Sequence, residues 1–124
     1  MLTEGQSAQV SRSYSEDDMS VFTALSGSRS ESVPEPLIAA LFSYLLGVEL
    51  PGSGTNYLKQ DLQFKAAAPL NTLLTAKVTV TELRREKHLV DLWAVCTAPD
   101  GTVICDGRSL VKAKDVPGAF GDPT

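Results

Sequence analysis

Two carboxylates, Glu31 and Glu35, stand at the entrance to a nearly unbroken apolar stretch that runs from Leu37 to Val48. A carboxylate in that position can work as a general base: an apolar surround favours its neutral form, a helix N-terminus favours its ionised form, and the balance sets its readiness to take a proton. The same positions also suit acids that complement the helix dipole from the first turn. Ser28, Ser30 and Ser32 lie close by, but no histidine stands near them to complete a nucleophilic pair. The only histidine, His88, falls at a turn between two strands, where a solvated side chain is expected. Two cysteines, Cys96 and Cys105, form neither a disulfide framework nor a metal motif, so a reduced protein without metal or cofactor is expected. Lys65, Arg84, Arg85 and Lys87 can receive a phosphate or simply face water as hairpin charges.

These residues are held by a chain organised around Pro34 to Leu50. Leu37, Ile38, Ala39, Ala40, Leu41, Phe42, Tyr44, Leu45, Leu46 and Val48 leave no polar face, so the spacing predicts a helix buried on most sides. Pro36 suits the first turn, and Gly47 followed by Pro51-Gly52 ends the segment. At 12 residues, Leu37 to Val48, it is too short for a bilayer, which needs about 20. Before it, Val10, Arg12 and Tyr14 alternate with Gln9, Ser11 and Ser13 in a first strand. Ser15 then caps a short helix carrying Met19, Val21, Phe22 and Leu25.

Four more strands follow the buried helix. Leu58, Gln60, Leu62 and Phe64 alternate with Lys59, Asp61, Gln63 and Lys65, which turns Asp61 away from the helix. Leu74, Ala76, Val78 and Val80 form the inward face of the third strand, and Val90, Leu92, Ala94 and Cys96 that of the fourth. After Pro99-Asp100-Gly101, the inward face of the fifth is Val103, Cys105, Gly107, Ser109 and Val111, in a register pairing Ala98 with Val103 and Cys96 with Cys105. Gly107, in mid-strand, marks a close backbone approach. Residues 1–115 form one α+β domain, a five-stranded antiparallel sheet wrapped around a central helix in the hotdog manner, and 116–124 a flexible tail.

The segments Ser11 to Asp18 with Phe22 to Gly27, Leu41 to Gly47 with Leu50 to Thr55, and Tyr57 to Lys65 resemble the MaoC-like hotdog family, the (R)-specific enoyl-CoA hydratases and 3-hydroxyacyl-thioester dehydratases. The resemblance implies an acyl-CoA or acyl carrier protein thioester as ligand, with the acyl chain in a tunnel beside the central helix, lined by Leu37, Leu41, Tyr57, Gln60 and Phe64. It also implies a homodimer joined edge to edge, for which Tyr57 to Lys65 is the expected edge, or a heterodimer with an intact MaoC-like subunit. In the family, a loop of the form Asp-x-Asn-Pro-x-His and a later His-Gly hold the water and polarise the thioester carbonyl. Here Ser28 to Val33 leave no counterpart of that loop, and Pro34 and Glu35 stand where the later His and Gly would be. The resemblance therefore points to a thioester-binding relative without the hydratase dyad, or to a hydratase, dehydratase or thioesterase that uses Glu35 or Glu31 as its base.

Composition narrows the classes further. A net charge of -4 with no basic stripe argues against a nucleic-acid partner. Met1 to Gln6 lacks the basic and apolar regions of a signal peptide, and no stretch suits a membrane, so a cytoplasmic location is expected.

Overall fold

The computed structural model describes residues 1–26 and 32–121. Its elements are β1 (Ser7–Arg12), α1 (Glu16–Ser26), α2 (Glu35–Tyr44), β2 (Asn56–Phe64), β3 (Leu74–Arg84), β4 (Leu89–Thr97) and β5 (Val103–Lys112). All five strands form one antiparallel sheet in the order β1-β3-β4-β5-β2, so β1 and β2 are its two edges. The alternating apolar faces read from the sequence are the reason: Leu74, Ala76, Val78 and Val80 of β3 and Val90, Leu92, Ala94 and Cys96 of β4 are buried, and they meet Ile38, Leu41, Phe42, Leu45 and Leu46 of the central segment. Cys96 faces Cys105 across β4 and β5, and both remain free thiols.

Local chemistry sets the helix ends. At α1, Ser15 and Asp18 cap each other, the Ser15 N–H reaching the Asp18 carboxylate at 2.8 Å and the Asp18 N–H reaching the Ser15 hydroxyl at 3.2 Å. The Ser15 N–H foremost, and then the Ser15 hydroxyl donating to the same carboxylate at 3.2 Å, hold the Asp18 carboxyl below its ordinary value. Met19 turns into the core, whereas Val21, expected beside it, is 63% exposed. The side chains of Phe22 and Leu25 lie outside the described residues. In α2, Pro34 precedes the first turn and Pro36 sits within it. The helix runs to Tyr44 and then widens into a π-type turn, Leu45–Glu49, around Gly47.

Four expectations need correction. The sheet covers one side of the central segment only: Ile38, Leu41, Phe42, Leu45 and Leu46 are buried, while Pro36, Ala40, Ser43, Tyr44 and Val48 form an exposed stripe at helical spacing. Leu58 does not point inward; a bulge between Tyr57 and Lys59 leaves it 53% exposed and restores the alternation only from Gln60 onward. Across the β4–β5 turn, Val103 pairs with Thr97 rather than Ala98. The loop closes between Ala98 and Thr102 with Gly101 at φ 89°, and the extra residue this leaves in β5 is absorbed before Cys105. Finally, Val116 to Gly121, expected to fray, is packed. Ala119 is buried, its carbonyl accepts the Leu2 N–H at 2.8 Å, and the Phe120 ring meets His88 edge-on at 5.4 Å.

The central segment carries an expected result. Leu41 is 6% exposed, and Leu41→Ala should destabilise the fold by about 2–5 kcal/mol because the surrounding strands cannot collapse onto the void. Chemical denaturation checks this, and an unchanged midpoint would show that the helix is not central.

Candidate functional site

The start of α2 is pinned from three directions. The Val33 N–H donates to the Ala68 carbonyl at 2.9 Å, tying the approach to α2 onto the β2–β3 connection. Tyr14, 3% exposed, donates its hydroxyl to the Leu37 carbonyl at 3.3 Å, and Arg12 lies over its ring at 4.6 Å. The Leu37 N–H is taken by the Pro34 carbonyl at 3.0 Å. Since Pro34 and Pro36 have no N–H, the Glu35 N–H is the one backbone donor in the stretch from Val33 to Leu37 without a partner among the described residues.

Beside this helix start opens a cleft of about 360 Å³. Ser32, Val33, Glu35 and Ile38 form one wall, and Phe64, Lys65 and the run Ala66, Ala67 and Ala68 form the other. Glu35 is solvent-exposed at its mouth. Lys65 is drawn to Asp106 at 2.9 Å. The two buried thiols follow on the neighbouring strands, Cys105 opposite Phe64 and Cys96 opposite Cys105. Burial pushes Cys96 up to about 11 and, with smaller contributions first from Cys96 and then from Asp106 and Glu35, Cys105 up to about 12.

Of the site residues read from the sequence, the structure brings Glu35 and Phe64 together in this cleft. Glu31 lies outside the described residues, as do Ser28 and Ser30. Leu37 is half-buried next to the cleft and Leu41 is committed to the core. Gln60 donates to the buried Ser109 hydroxyl at 3.2 Å, satisfying a polar atom in the sheet. Tyr57 lies across the outer side of α2, its hydroxyl reaching the Phe42 carbonyl at 3.5 Å, and burial raises it despite a bond from Ser43. His88 is at the other end of the sheet. From Cys105 opposite Cys96 to Lys112 opposite Leu89, β5 runs roughly 24 Å at about 3.4 Å per residue. His88 is half-buried against Phe120 rather than solvated. Arg84 is engaged as well, pairing at 3.2 Å with Asp91, a buried carboxylate that also accepts from Arg108. Among the described residues there is no group of histidine, cysteine and acidic side chains that could hold a metal ion.

Beyond Phe64, the cleft's far wall of Ala66, Ala67 and Ala68 is not evident from the sequence. The one signal was the triplet of alanines before Pro69, small side chains that leave space where larger ones would fill it.

The chain is 35% identical to the (R)-specific enoyl-CoA hydratase of Rhodospirillum rubrum over 126 aligned residues, which cover 89% of this chain and 87% of that protein. It belongs to the MaoC-like hotdog family of (R)-specific enoyl-CoA hydratases. The enzyme of the same name from Aeromonas caviae is 32% identical over 127 residues, covering 90% of this chain and 95% of its own. The solved structure of the (R)-hydratase from A. caviae involved in PHA biosynthesis superposes with a TM-score of 0.83 over 90% of this chain and 96% of that one. An R-hydratase from Pseudomonas aeruginosa, solved without ligand, gives 0.81 at 28% identity, covering 90% of this chain and 81% of that one. No protein-family model matches the chain. No helix among the described residues is long and apolar enough to cross a membrane.

The two buried thiols give an expected pH response. In the unfolded chain they titrate near their ordinary value of 9.0, and in the fold near 11 and 12. Between those values the unfolded chain binds fewer protons than the folded one, so stability is full below about pH 9 and falls as pH rises above it. Urea midpoints measured across that window should decline. Ellman's reagent at about pH 8 should label neither thiol until urea is added, since the thiolate is the reactive form.

Proposed function

We propose that this chain is an acyl-thioester-binding member of the hydratase family that has lost the acid–base pair for hydration, and that it serves as a binding partner rather than a hydratase. The observation that carries this reading is the composition of the helix start. From Met19 to Gln60 the chain contains no aspartate and no histidine, and its single histidine sits at the opposite end of the sheet. No aspartate or histidine stands between the two helices to serve as the family's water-holding pair, and the cleft beside α2 offers Val33, Ile38, Phe64 and alanines to an acyl chain, among the polar Ser32, Glu35 and Lys65. The ligand class follows from the family: an acyl group on CoA or on the phosphopantetheine of a carrier protein. Titration calorimetry with butyryl-CoA tests the binding half. The account expects saturable binding that Ala67→Trp, at the exposed edge of the cleft, abolishes; heat from simple dilution would contradict it.

The assembly we propose is a homodimer joined through β2. This strand has a neighbour on one side only, and next to it lie exposed apolar side chains: Tyr44 at 45%, Val48 at 58%, Tyr57 at 43% and Leu58 at 53%. Such an edge and patch call for a partner. A second copy fits by charge. Antiparallel pairing about a two-fold axis at Gln60 sets Lys59 against the partner's Asp61 and Leu58 against the partner's Leu62. An intact family member offering the same edge would fit in the same way. Sedimentation should give a dimer at micromolar concentration and Leu58→Asp a monomer; a wild-type monomer would remove the proposed joint.

A further inference from the structure

Two charged side chains line the cleft beside α2, Glu35 and Lys65. The Lys65 ammonium is held at 2.9 Å by the Asp106 carboxylate of β5, so that pair cancels its own charge. Glu35 is exposed, and its carboxylate has no ion pair or hydrogen bond among the described residues. The cleft is therefore left with one negative charge that has no counter-ion. A first-turn acid ordinarily serves only the helix dipole. The field of this one also reaches the interior. Cys105, buried opposite Phe64 of the cleft wall, is raised first by burial and then, in decreasing order, by Cys96, Asp106 and Glu35.

The ligand's own chemistry says which of its atoms meets that charge. An acyl group on a carrier enters a cleft tail first, because its other end is tethered in solvent. Val33 and Ile38, both buried, and the half-buried Phe64 offer the apolar surface that takes the tail. The stretch left beside Glu35 at the mouth is the one nearest the thioester, carbons 2 and 3 of the acyl group. An ionised carboxylate only accepts hydrogen bonds. It offers nothing to a saturated chain and repels an acid. It accepts a bond from a hydroxyl and a stronger, charge-assisted one from an ammonium.

We infer that the cleft selects aminoacyl thioesters, acyl groups with a protonated amine on carbon 2 or 3, the amine received by the Glu35 carboxylate and the apolar remainder lying against Val33, Ile38 and Phe64. The inference rests on the thioester-binding reading and names the ligand class within it. One charge then has two consequences. The negative carboxylate that opposes an enolate beside it favours a cation in the same place.

The test titrates the protein calorimetrically with 3-aminobutyryl-CoA, 3-hydroxybutyryl-CoA, butyryl-CoA and succinyl-CoA, whose acyl groups are similar in size and differ in charge. The quantity read is the ratio of dissociation constants on one protein, so a general loss of binding in a variant cancels. Wild type should bind 3-aminobutyryl-CoA about three- to ten-fold more tightly than butyryl-CoA, the span from an exposed ion pair to a charge-assisted hydrogen bond. The hydroxyl thioester should fall between them and succinyl-CoA should bind most weakly. High salt should narrow the preference. Glu35→Gln should bring the ratio of amino to butyryl thioester close to one, and Glu35→Lys should make succinyl-CoA the preferred ligand. Both variants change an exposed side chain and should keep the wild-type circular dichroism spectrum. An amine bound no better than the hydroxyl, or a preference that survives Glu35→Gln, overturns the inference and leaves the thioester reading in place. A wild-type protein that binds none of the four thioesters defeats the thioester reading, and this inference with it.

Discussion

Crotonyl-CoA mixed with the protein should be hydrated no faster than in a buffer blank. Adding water across the enoyl bond needs a base for the water, a proton for the α-carbon and donors for the developing oxyanion. Positioned acid–base groups contribute about 10² to 10⁴-fold each, so a site without them falls short of a working hydratase by four or more orders of magnitude. What remains at the helix start is weak support. One backbone N–H, that of Glu35 between two prolines, has no partner among the described residues, and the carboxylate on the same residue would bring negative charge to an enolate formed beside it. Should turnover appear, Glu35→Gln separates the alternatives. Loss of rate would make Glu35 the base of a reassigned enzyme, and an unchanged rate would assign the chemistry elsewhere.

Gly107→Ala should be the most damaging single substitution in the sheet. A Cβ at that position would stand 1.6 Å from the Asp61 carbonyl oxygen, 2.7 Å from its carbon and 2.9 Å from the Leu62 Cα. All three are backbone atoms, so no rotamer change relieves the clash and β2 must move off β5, where Leu62 pairs with Gly107. Overpacking of cores ordinarily costs about 1–3 kcal/mol, and separating a strand adds lost ladder bonds to that. The thermal midpoint should fall by roughly 10 °C or more, with loss of the dimer if β2 is the joint. Ser109→Ala, which removes only the Gln60 bond on the same face, should cost about 1 kcal/mol. Similar midpoints for the two variants would mean that β2 does not lie where this register puts it.

The sheet was legible where one face is buried and the other wet. In β3, β4 and β5 from Cys105 onward the period of two is enforced by the core, so those inward sets and the Cys96–Cys105 pairing follow from the sequence, whereas Val103, read as inward, is half-buried opposite Thr97 and Ile104 is buried instead. It failed where an extra residue breaks the period. Neither the bulge at Leu58 nor the one before Cys105 changes composition, and each is fixed by pairing with a neighbour that the local sequence does not contain. Gly107 was legible because a glycine in mid-strand has few explanations. The central helix was half legible: its all-round apolar character required cover, but composition cannot distinguish cover by its own sheet from cover by a partner. The exposed stripe of Ala40, Tyr44 and Val48 records that ambiguity. At the site, Glu35 announced itself by its place before a helix, whereas the opposing wall depends on a long-range contact, Val33 to Ala68, that no local pattern encodes.

The central claim, binding without hydration, is tested most directly by one NMR time course on crotonyl-CoA with the dimeric protein. Saturation transferred from protein to the crotonyl vinyl protons, suppressed by Ala67→Trp, together with no 3-hydroxybutyryl signal beyond a protein-free control, is the predicted result. Vinyl signals that decay into 3-hydroxybutyryl-CoA, or that receive no saturation at all, would contradict it.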